Sequence, residues 1–241
     1  MKLRTLRGLI RRRILLNFRV RPEALRPVVP SRFRFKLQNG QAVAGVCLIR
    51  LDGVRPQFVP RPFGFRSENA AHRVAVLWTD ELGEEREGVF VFRRDTGSAL
   101  NRLAGGRVFP GEQHRAVFRG SDSGDRIELA MASADGFCTV SVRGRPASEL
   151  PGGSVFGSVA EASRFFETGS VGYSTTSEPN RLDGIALRTS GWSVEPLKVD
   201  EVFSSYFMDA SRFPDETAVF DHALLMRNVD HEWQEVPDLS V

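Results

Sequence analysis

The stretch Phe33-Arg34-Phe35-Lys36-Leu37-Gln38-Asn39-Gly40-Gln41-Ala42-Val43-Ala44-Gly45-Val46-Cys47-Leu48-Ile49-Arg50-Leu51 decides the architecture. Phe33, Phe35 and Leu37 alternate with Arg34 and Lys36, which is the period-two pattern of a strand with one buried face. Asn39-Gly40 can adopt the positive φ angles of a two-residue hairpin turn, so this stretch predicts two antiparallel strands joined tightly. The same pattern extends outward. Ile14 to Val20 reads as a first strand, and Pro22 to Val29 as a short helix with proline in its first turn. Ala70 to Trp78 and Gly88 to Phe92 flank a charged loop at 81–87, after an irregular connection at 54–66. Ala116 to Arg119 and Ile127 to Ala132 flank the turn Ser121-Asp122-Ser123-Gly124, and Phe137 to Arg143 adds a strand. Further strands are expected at Ile185 to Arg188, Trp192 to Val202 and Ala218 to Asn228. Helical turns are expected at Ser98 to Ala104, at Tyr206 to Ala210, and between Ser158 and Gly169, where Ser158 and Glu161 make a capping box.

The fold class that follows is mainly β (α+β), one domain over residues 1–241. About ten strands in one chain favour a large antiparallel sheet curled into a cone or barrel, because long flat edges invite aggregation. The chain has 241 residues, 41% apolar and 26% charged. At this size roughly 70 to 75% of the unfolded surface can be hidden without metal or disulfide staples. Two cysteines, Cys47 and Cys138, lie in apolar runs and read as small buried hydrophobes of a reducing, cytoplasmic protein. No run reaches the roughly 18 apolar residues of a membrane span.

Charge is uneven. The first 26 residues hold nine basic side chains against the single acid Glu23. Such a segment, most basic over 1–12, could meet nucleic acid or an anionic membrane surface. Leu3, Leu6, Leu9 and Ile10 recur at helical spacing, and we read the segment instead as an amphipathic helix on its own domain with solvated arginines. Arginines also interrupt what would otherwise resemble a secretion signal, so the segment is expected to be retained.

Phosphate-loop, zinc-ligand and Gly-x-Ser-x-Gly spacings are missing. Neither a metal nor a cofactor is expected. Chemistry is instead sought in polar clusters within apolar runs, where an unpaired buried charge is costly. Ser67-Glu68-Asn69-Ala70-Ala71-His72-Arg73 opens a strand, with His72 on the face of Ala70 and Val74, and Arg73 on the face of Asn69, Ala71 and Ala75. Arg93 and Arg94, before Asp95, must point to opposite faces. An inward arginine suits a substrate carboxylate because its planar fork meets both oxygens. Arg73, Arg93, Arg94, Asp95, Asn101 and Arg107 are therefore candidate substrate-binding residues, and Glu68, His72 and His114 candidate proton-transfer groups. The competing reading makes these residues structural ion pairs, for example Arg94 with Asp95 or Glu68. Asp221 and His222 fall on opposite faces of a strand, which argues against a direct dyad.

Arg12-Arg13-Ile14-Leu15-Leu16-Asn17-Phe18, Ser67 to Arg73, Phe92-Arg93-Arg94-Asp95-Thr96, Ala104-Gly105-Gly106-Arg107-Val108-Phe109-Pro110-Gly111, Gly169-Ser170-Val171-Gly172-Tyr173-Ser174, Val194-Glu195-Pro196-Leu197 and Phe220-Asp221-His222-Ala223-Leu224-Leu225-Met226 resemble the uncharacterised YqjF-like family over nearly the whole chain. That family is remotely similar to acetoacetate decarboxylase, which implies a curled antiparallel sheet closed around a ligand pocket. In acetoacetate decarboxylases the stretch matching Ala104 to Arg107 leads to Gly-Phe-Pro-Lys-Lys, whose first lysine forms a Schiff base. Here Val108-Phe109-Pro110-Gly111-Glu112-Gln113-His114 follows, with no amine at or beside that position. The chain holds only Lys2, Lys36 and Lys198, so imine chemistry is not expected.

The expected function is a small-molecule pocket for an anionic or carbonyl-containing compound, with metal-independent acid/base lyase, hydratase or isomerase chemistry. The alternatives are a non-catalytic binding or regulatory module, and a nucleic-acid or membrane-surface partner acting through the basic N-terminus, which is the less favoured. A homo-oligomer is compatible with the sequence.

Overall fold

A computed structural model describes residues 5–98, 111–178 and 180–240. Its strands are β1 (Thr5–Val20), β2 (Arg34–Phe35), β3 (Leu37–Gln38), β4 (Gln41–Pro56), β5 (Phe65–Thr79), β6 (Glu85–Thr96), β7 (Gln113–Asp122), β8 (Ile127–Ser133), β9 (Thr139–Pro146), β10 (Val171–Thr175), β11 (Arg181–Thr189), β12 (Glu195–Ser204) and β13 (Ala218–Ser240). The helices are α1 (Pro22–Leu25) and α2 (Val159–Thr168), with a 3-10 turn at Arg61–Phe63. Among the described residues, no helix is long and apolar enough to cross a membrane.

All strands belong to one 13-stranded sheet. Most neighbours are antiparallel, but β6 pairs in parallel with both β7 and β10, so the sheet is mixed rather than purely antiparallel. Those parallel joins let the sheet close twice. β13, β1, β4, β5, β6, β10 and β11 return on themselves through the β11–β13 pairing. β6, β7, β8, β9, β12, β13, β1, β4 and β5 form a second, wider ring. Both rings use the wall β13-β1-β4-β5-β6, and closure leaves few strand edges to be protected.

The hairpin read first is present, with Leu37 opposite Ala42, Gln38 opposite Gln41, and φ of 48° at Asn39 and 75° at Gly40. Beyond it, Gly45 lets β4 approach β1 so closely that a Cβ there would lie 1.9 Å from the Leu16 carbonyl oxygen. One face of the wall carries Ile14, Leu16, Phe18, Ala44, Val46, Ala70, Val74 and Phe90 into the main core with Phe33, Trp78, Tyr173 and Phe207. The other face carries Leu15, Cys47, Ile49, Ala75, Leu224 and Met226, covered by Ala162, Phe165 and Phe166 of α2. α2 starts at the Ser158 cap as read, its Oγ accepting from the Glu161 amide at 3.1 Å, but Glu161 Oε2 reaches one residue further back than a capping box requires and accepts from the Gly157 amide at 2.7 Å.

Several expectations are corrected. The N-terminal segment is not a helix, because β1 runs from Thr5 between β13 and β4. Leu6, Gly8, Ile10 and Arg12 are its buried positions and Leu9 is only partly covered, so strand pairing overrides the helical spacing. α1 stops at Leu25, and 206–210 forms turns without a helix. Within 54–66, β4 continues to Pro56 and β5 begins at Phe65. The short β10 went unread, and β13 extends a dozen residues past Asn228. The helix expected at Ser98 to Ala104 falls, beyond Ser98, outside the described residues.

Candidate functional site

On the α2-covered face, side chains from β1, β4, β5, β6, β11 and β13 enclose a cavity of about 350 Å³. Arg13, Arg73, Arg94, Cys47 and Glu167 stand in its polar wall, and Phe166, Trp192 and Trp233 in its aromatic one. Two bulges place the charges. In the β5–β6 register His72 faces Arg93 and Arg73 faces Val91, so Phe92 is left over. Phe92 and Arg93 then lean to the main core, where Phe92 meets His72 and Arg93 lies over Phe137. Arg94 enters the cavity, and its Nε donates to Ser174 Oγ at 2.8 Å.

Arg73 is buried at 3% exposure. Its guanidinium lies 5.0 Å from the Phe166 ring and donates from Nη2 to Asn17 Oδ1 at 2.7 Å. Its Nε and Nη1 have no partner, nor has Nη1 of Arg13. Arg13 Nε donates to Cys47 Sγ at 3.4 Å, and its guanidinium lies 5.7 Å from the Trp192 ring. Among the described residues none of these three arginines forms an ion pair. Burial pushes the Arg73 pKa down to about 10, with Cys47 opposing the shift and Arg13 reinforcing it. Burial also pushes Arg94 down to about 10, against Cys47 and Asp183. Both stay protonated at neutral pH. A buried charge without a counter-ion costs several kcal/mol, and Glu167, exposed on α2, is the one carboxylate among the described residues lining the cavity.

Behind Arg73 runs a chain of buried polar groups. Asn17 Nδ2 donates to His222 Nε2 at 3.0 Å, and His222 Nδ1 donates to Asp221 Oδ2 at 2.5 Å, an assignment of protons that follows from the partners. Asp221 also accepts from Ser154 Oγ at 2.7 Å, from the Val155 amide at 2.9 Å and from Arg19 at 3.3 Å. Burial raises the Asp221 pKa, but the bonds from His222 and Ser154 outweigh it and the net shift is downward. The expectation that Asp221 and His222 point apart is therefore wrong. The β1–β13 register pairs Asn17 with His222 and Phe18 with Phe220, so Asp221 is the extra residue of a bulge and both side chains meet.

Of the residues picked from sequence, Arg73 and Arg94 meet in this cavity, whereas Glu68, His72, Arg93, Asp95 and His114 lie elsewhere. Glu68 accepts two bonds from Arg12, at 3.0 and 3.2 Å, and lies 3.8 Å from Arg50. His72 faces the main core among Phe92, Phe137, Tyr206 and Phe207, with Nε2 3.3 Å from Cys138 Sγ. Burial, then the Arg93 charge, pushes the His72 pKa down to about 3. Arg93 bridges Asp95 at 3.0 Å and Asp135 at 2.8 Å, with Ser133 donating to Asp95. His114 lies 3.7 Å from Asp135 and 3.9 Å from Glu112. Asn101 and Arg107 lie outside the described residues. The description resumes at Gly111, where a Cβ would lie 2.5 Å from that of Ser174, the Arg94 partner.

Arg13, Cys47, Trp192 and Trp233 were missed, since each is separated in sequence from the clusters that drew attention. One signal was present: Arg13 shares parity with Leu15 and Asn17 in an otherwise apolar run. A larger open trough of about 720 Å³ lies along Arg7, Arg11, Asp52 and Glu232. Two of its arginines are answered by carboxylates, Arg7 by Glu232 and Arg11 by Asp52, while Arg55 donates to the carbonyls of Val59 and Gly53 and Arg188 has no ion pair among the described residues.

The model of the DUF2071 family, described as an uncharacterized conserved protein, matches residues 9–215. No curated protein matches the chain. Among solved structures, the chain is similar to the acetoacetate decarboxylase of Legionella pneumophila, with 14% identity, TM-score 0.59, and coverage of 97% of this chain and 87% of that one. An acetoacetate decarboxylase-like enzyme from Sphingomonas wittichii RW1 gives 11% identity, TM-score 0.59, and coverage of 98% and 92%. The enduracididine biosynthesis enzyme MppR, complexed with pyruvate, gives 12% identity, TM-score 0.57, and coverage of 98% and 89%. These likenesses show the fold.

Proposed function

Given that the chain belongs to the DUF2071 family and has the acetoacetate decarboxylase-like fold, we propose that it binds a small carboxylate carrying a carbonyl group in the cavity of Arg13, Arg73 and Arg94. The observation that carries this reading is Arg73, buried with Nε and Nη1 unsatisfied beside the partly buried Arg13 and Arg94, none of the three in an ion pair among the described residues. A ligand carboxylate would supply the missing charge, and guanidinium forks suit its geometry. The cavity volume of about 350 Å³ lies at the lower end of small-molecule sites. MppR, of the same fold, is complexed with a ligand of this class.

A Schiff-base route has no support among the described residues. Lys36 is spent on the α2 carbonyl of Phe165 and on Glu87, and Lys198 pairs along β12 with Arg145 of β9. Guanidinium groups that hold a carboxylate can also polarise a neighbouring carbonyl, which favours enolisation or related lyase and hydratase chemistry. The binding-module alternative gains from one fact: Glu68, His72 and His114, the groups picked for proton transfer, lie away from the cavity. The nucleic-acid alternative loses support, because Arg7, Arg11, Arg12 and Arg19 of β1 are engaged by Glu232, Asp52, Glu68 and Asp221.

Thermal-shift titration with pyruvate, acetoacetate and lactate, against neutral acetone, tests the reading. Anions should raise Tm and acetone should not. An equal response to acetone, or no response to any anion, overturns it.

A further inference from the structure

Cys47 sits in the middle of β4, opposite Leu15 of β1 and Ala71 of β5, and its side chain lines the cavity. Arg13 Nε donates to its sulfur at 3.4 Å. Arg73 and Arg94 line the same cavity. Independently of the cysteine, Arg73 is almost fully buried in the same wall with Nε and Nη1 unsatisfied, which points to an anionic ligand beside the thiol. Cys138 shows the contrast. It is buried against His72 and the main core, and burial pushes its thiol pKa up. Three guanidinium groups, of Arg13, Arg73 and Arg94, share the cavity wall with Cys47, and the thiolate is the reactive form of cysteine.

We propose that Cys47 is the covalent nucleophile of the cavity, adding reversibly to the carbonyl carbon of a 2-oxo acid whose carboxylate is held by Arg73 and Arg94. This deepens the carboxylate reading and rests on it. In the step, a sulfur–carbon bond forms, the carbonyl π pair moves to its oxygen, and the thiol proton ends on that oxygen. The product is a hemithioketal, and no oxidant, reductant or second substrate is consumed. Sulfur would thus occupy the role for which a lysine amine is missing.

The test uses the whole protein under native conditions. Peptide mapping after brief exposure to iodoacetate or iodoacetamide should show Cys47 alkylated by the anionic reagent roughly tenfold faster or more, as charge focusing in a cationic cleft requires. Pyruvate should protect Cys47, and the preference for the anion should collapse in Arg73→Met. With [2-13C]pyruvate, a protein-bound tetrahedral carbon signal distinct from that of free pyruvate hydrate should appear in the wild type and be lost in Cys47→Ser. An inert Cys47, or faster reaction with iodoacetamide, overturns the proposal without relying on any variant that must fold. If pyruvate still raises Tm in wild type and Cys47→Ser with no tetrahedral signal in either, the nucleophile falls and the carboxylate site stands. If pyruvate neither protects nor raises Tm, both fall.

Discussion

Replacing Arg73 with methionine tests whether this guanidinium serves a ligand or the fold. Methionine keeps the apolar stem of the side chain while removing the charge and the guanidinium that faces Phe166. In the wild type the guanidinium pKa is held at about 10 by burial, against an ordinary value above 12. Two to three tenfold steps at about 1.4 kcal/mol each mean that roughly 3 kcal/mol disfavours the charged form in the folded state. The substitution removes that cost. It also removes the bond to Asn17 Oδ1, and a charged hydrogen bond contributes about 1.5 to 3 kcal/mol. The two effects largely offset, so the unliganded variant should lie between wild-type stability and about 1.5 kcal/mol above it by urea denaturation. Ligand-linked stabilisation should vanish; at a hundredfold excess over Kd it is worth about 2.7 kcal/mol in the wild type. A variant destabilised by more than 3 kcal/mol, or one that keeps the full pyruvate response, would refute the argument.

Other outcomes follow from neighbouring features. His72 is neutral when folded down to about pH 3, whereas an unfolded histidine takes up a proton near 6.5. Its contribution is present above that value and is lost as pH falls towards 3, so His72→Phe should flatten the stability–pH slope between pH 6 and 4 by about one proton, read from urea curves across pH. Glu68→Gln should weaken folding by about 1 to 3 kcal/mol through the buried Arg12, yet leave the pyruvate Tm response at wild-type size; loss of that response would restore Glu68 to the site. Gly45→Ala forces a methyl onto the Leu16 carbonyl and should abolish soluble, cooperative folding; a well-folded variant would show that β1 and β4 can part.

Much of this was legible in the sequence. The Asn39-Gly40 turn is local chemistry, and the alternation through 69–75 sends His72 and Arg73 to opposite faces as strand geometry demands. Arg93 and Arg94 also part as read. What could not be read is what depends on distant pairing. Thr5 to Arg11 is a strand because β13 and β4 lie on either side of it, and no property of Leu6, Leu9 and Ile10 alone selects strand over helix. The parallel joins of β6 require segments twenty to eighty residues away. Arg13 and Cys47 become cavity residues only once β1 meets β4. Asp221 and His222 were misassigned because alternation presumes an unbroken ladder, and a bulge there breaks it.

That broken ladder has a bearing on divergence. Past Asp221 the strand continues one step out of phase with its start, so His222 and Leu224 keep to the α2 side only while the additional residue is retained. Loss of a single codon there would exchange inside for outside along the N-terminal part of the strand. Insertions and deletions should therefore be tolerated in the connecting loops long before this strand accepts one.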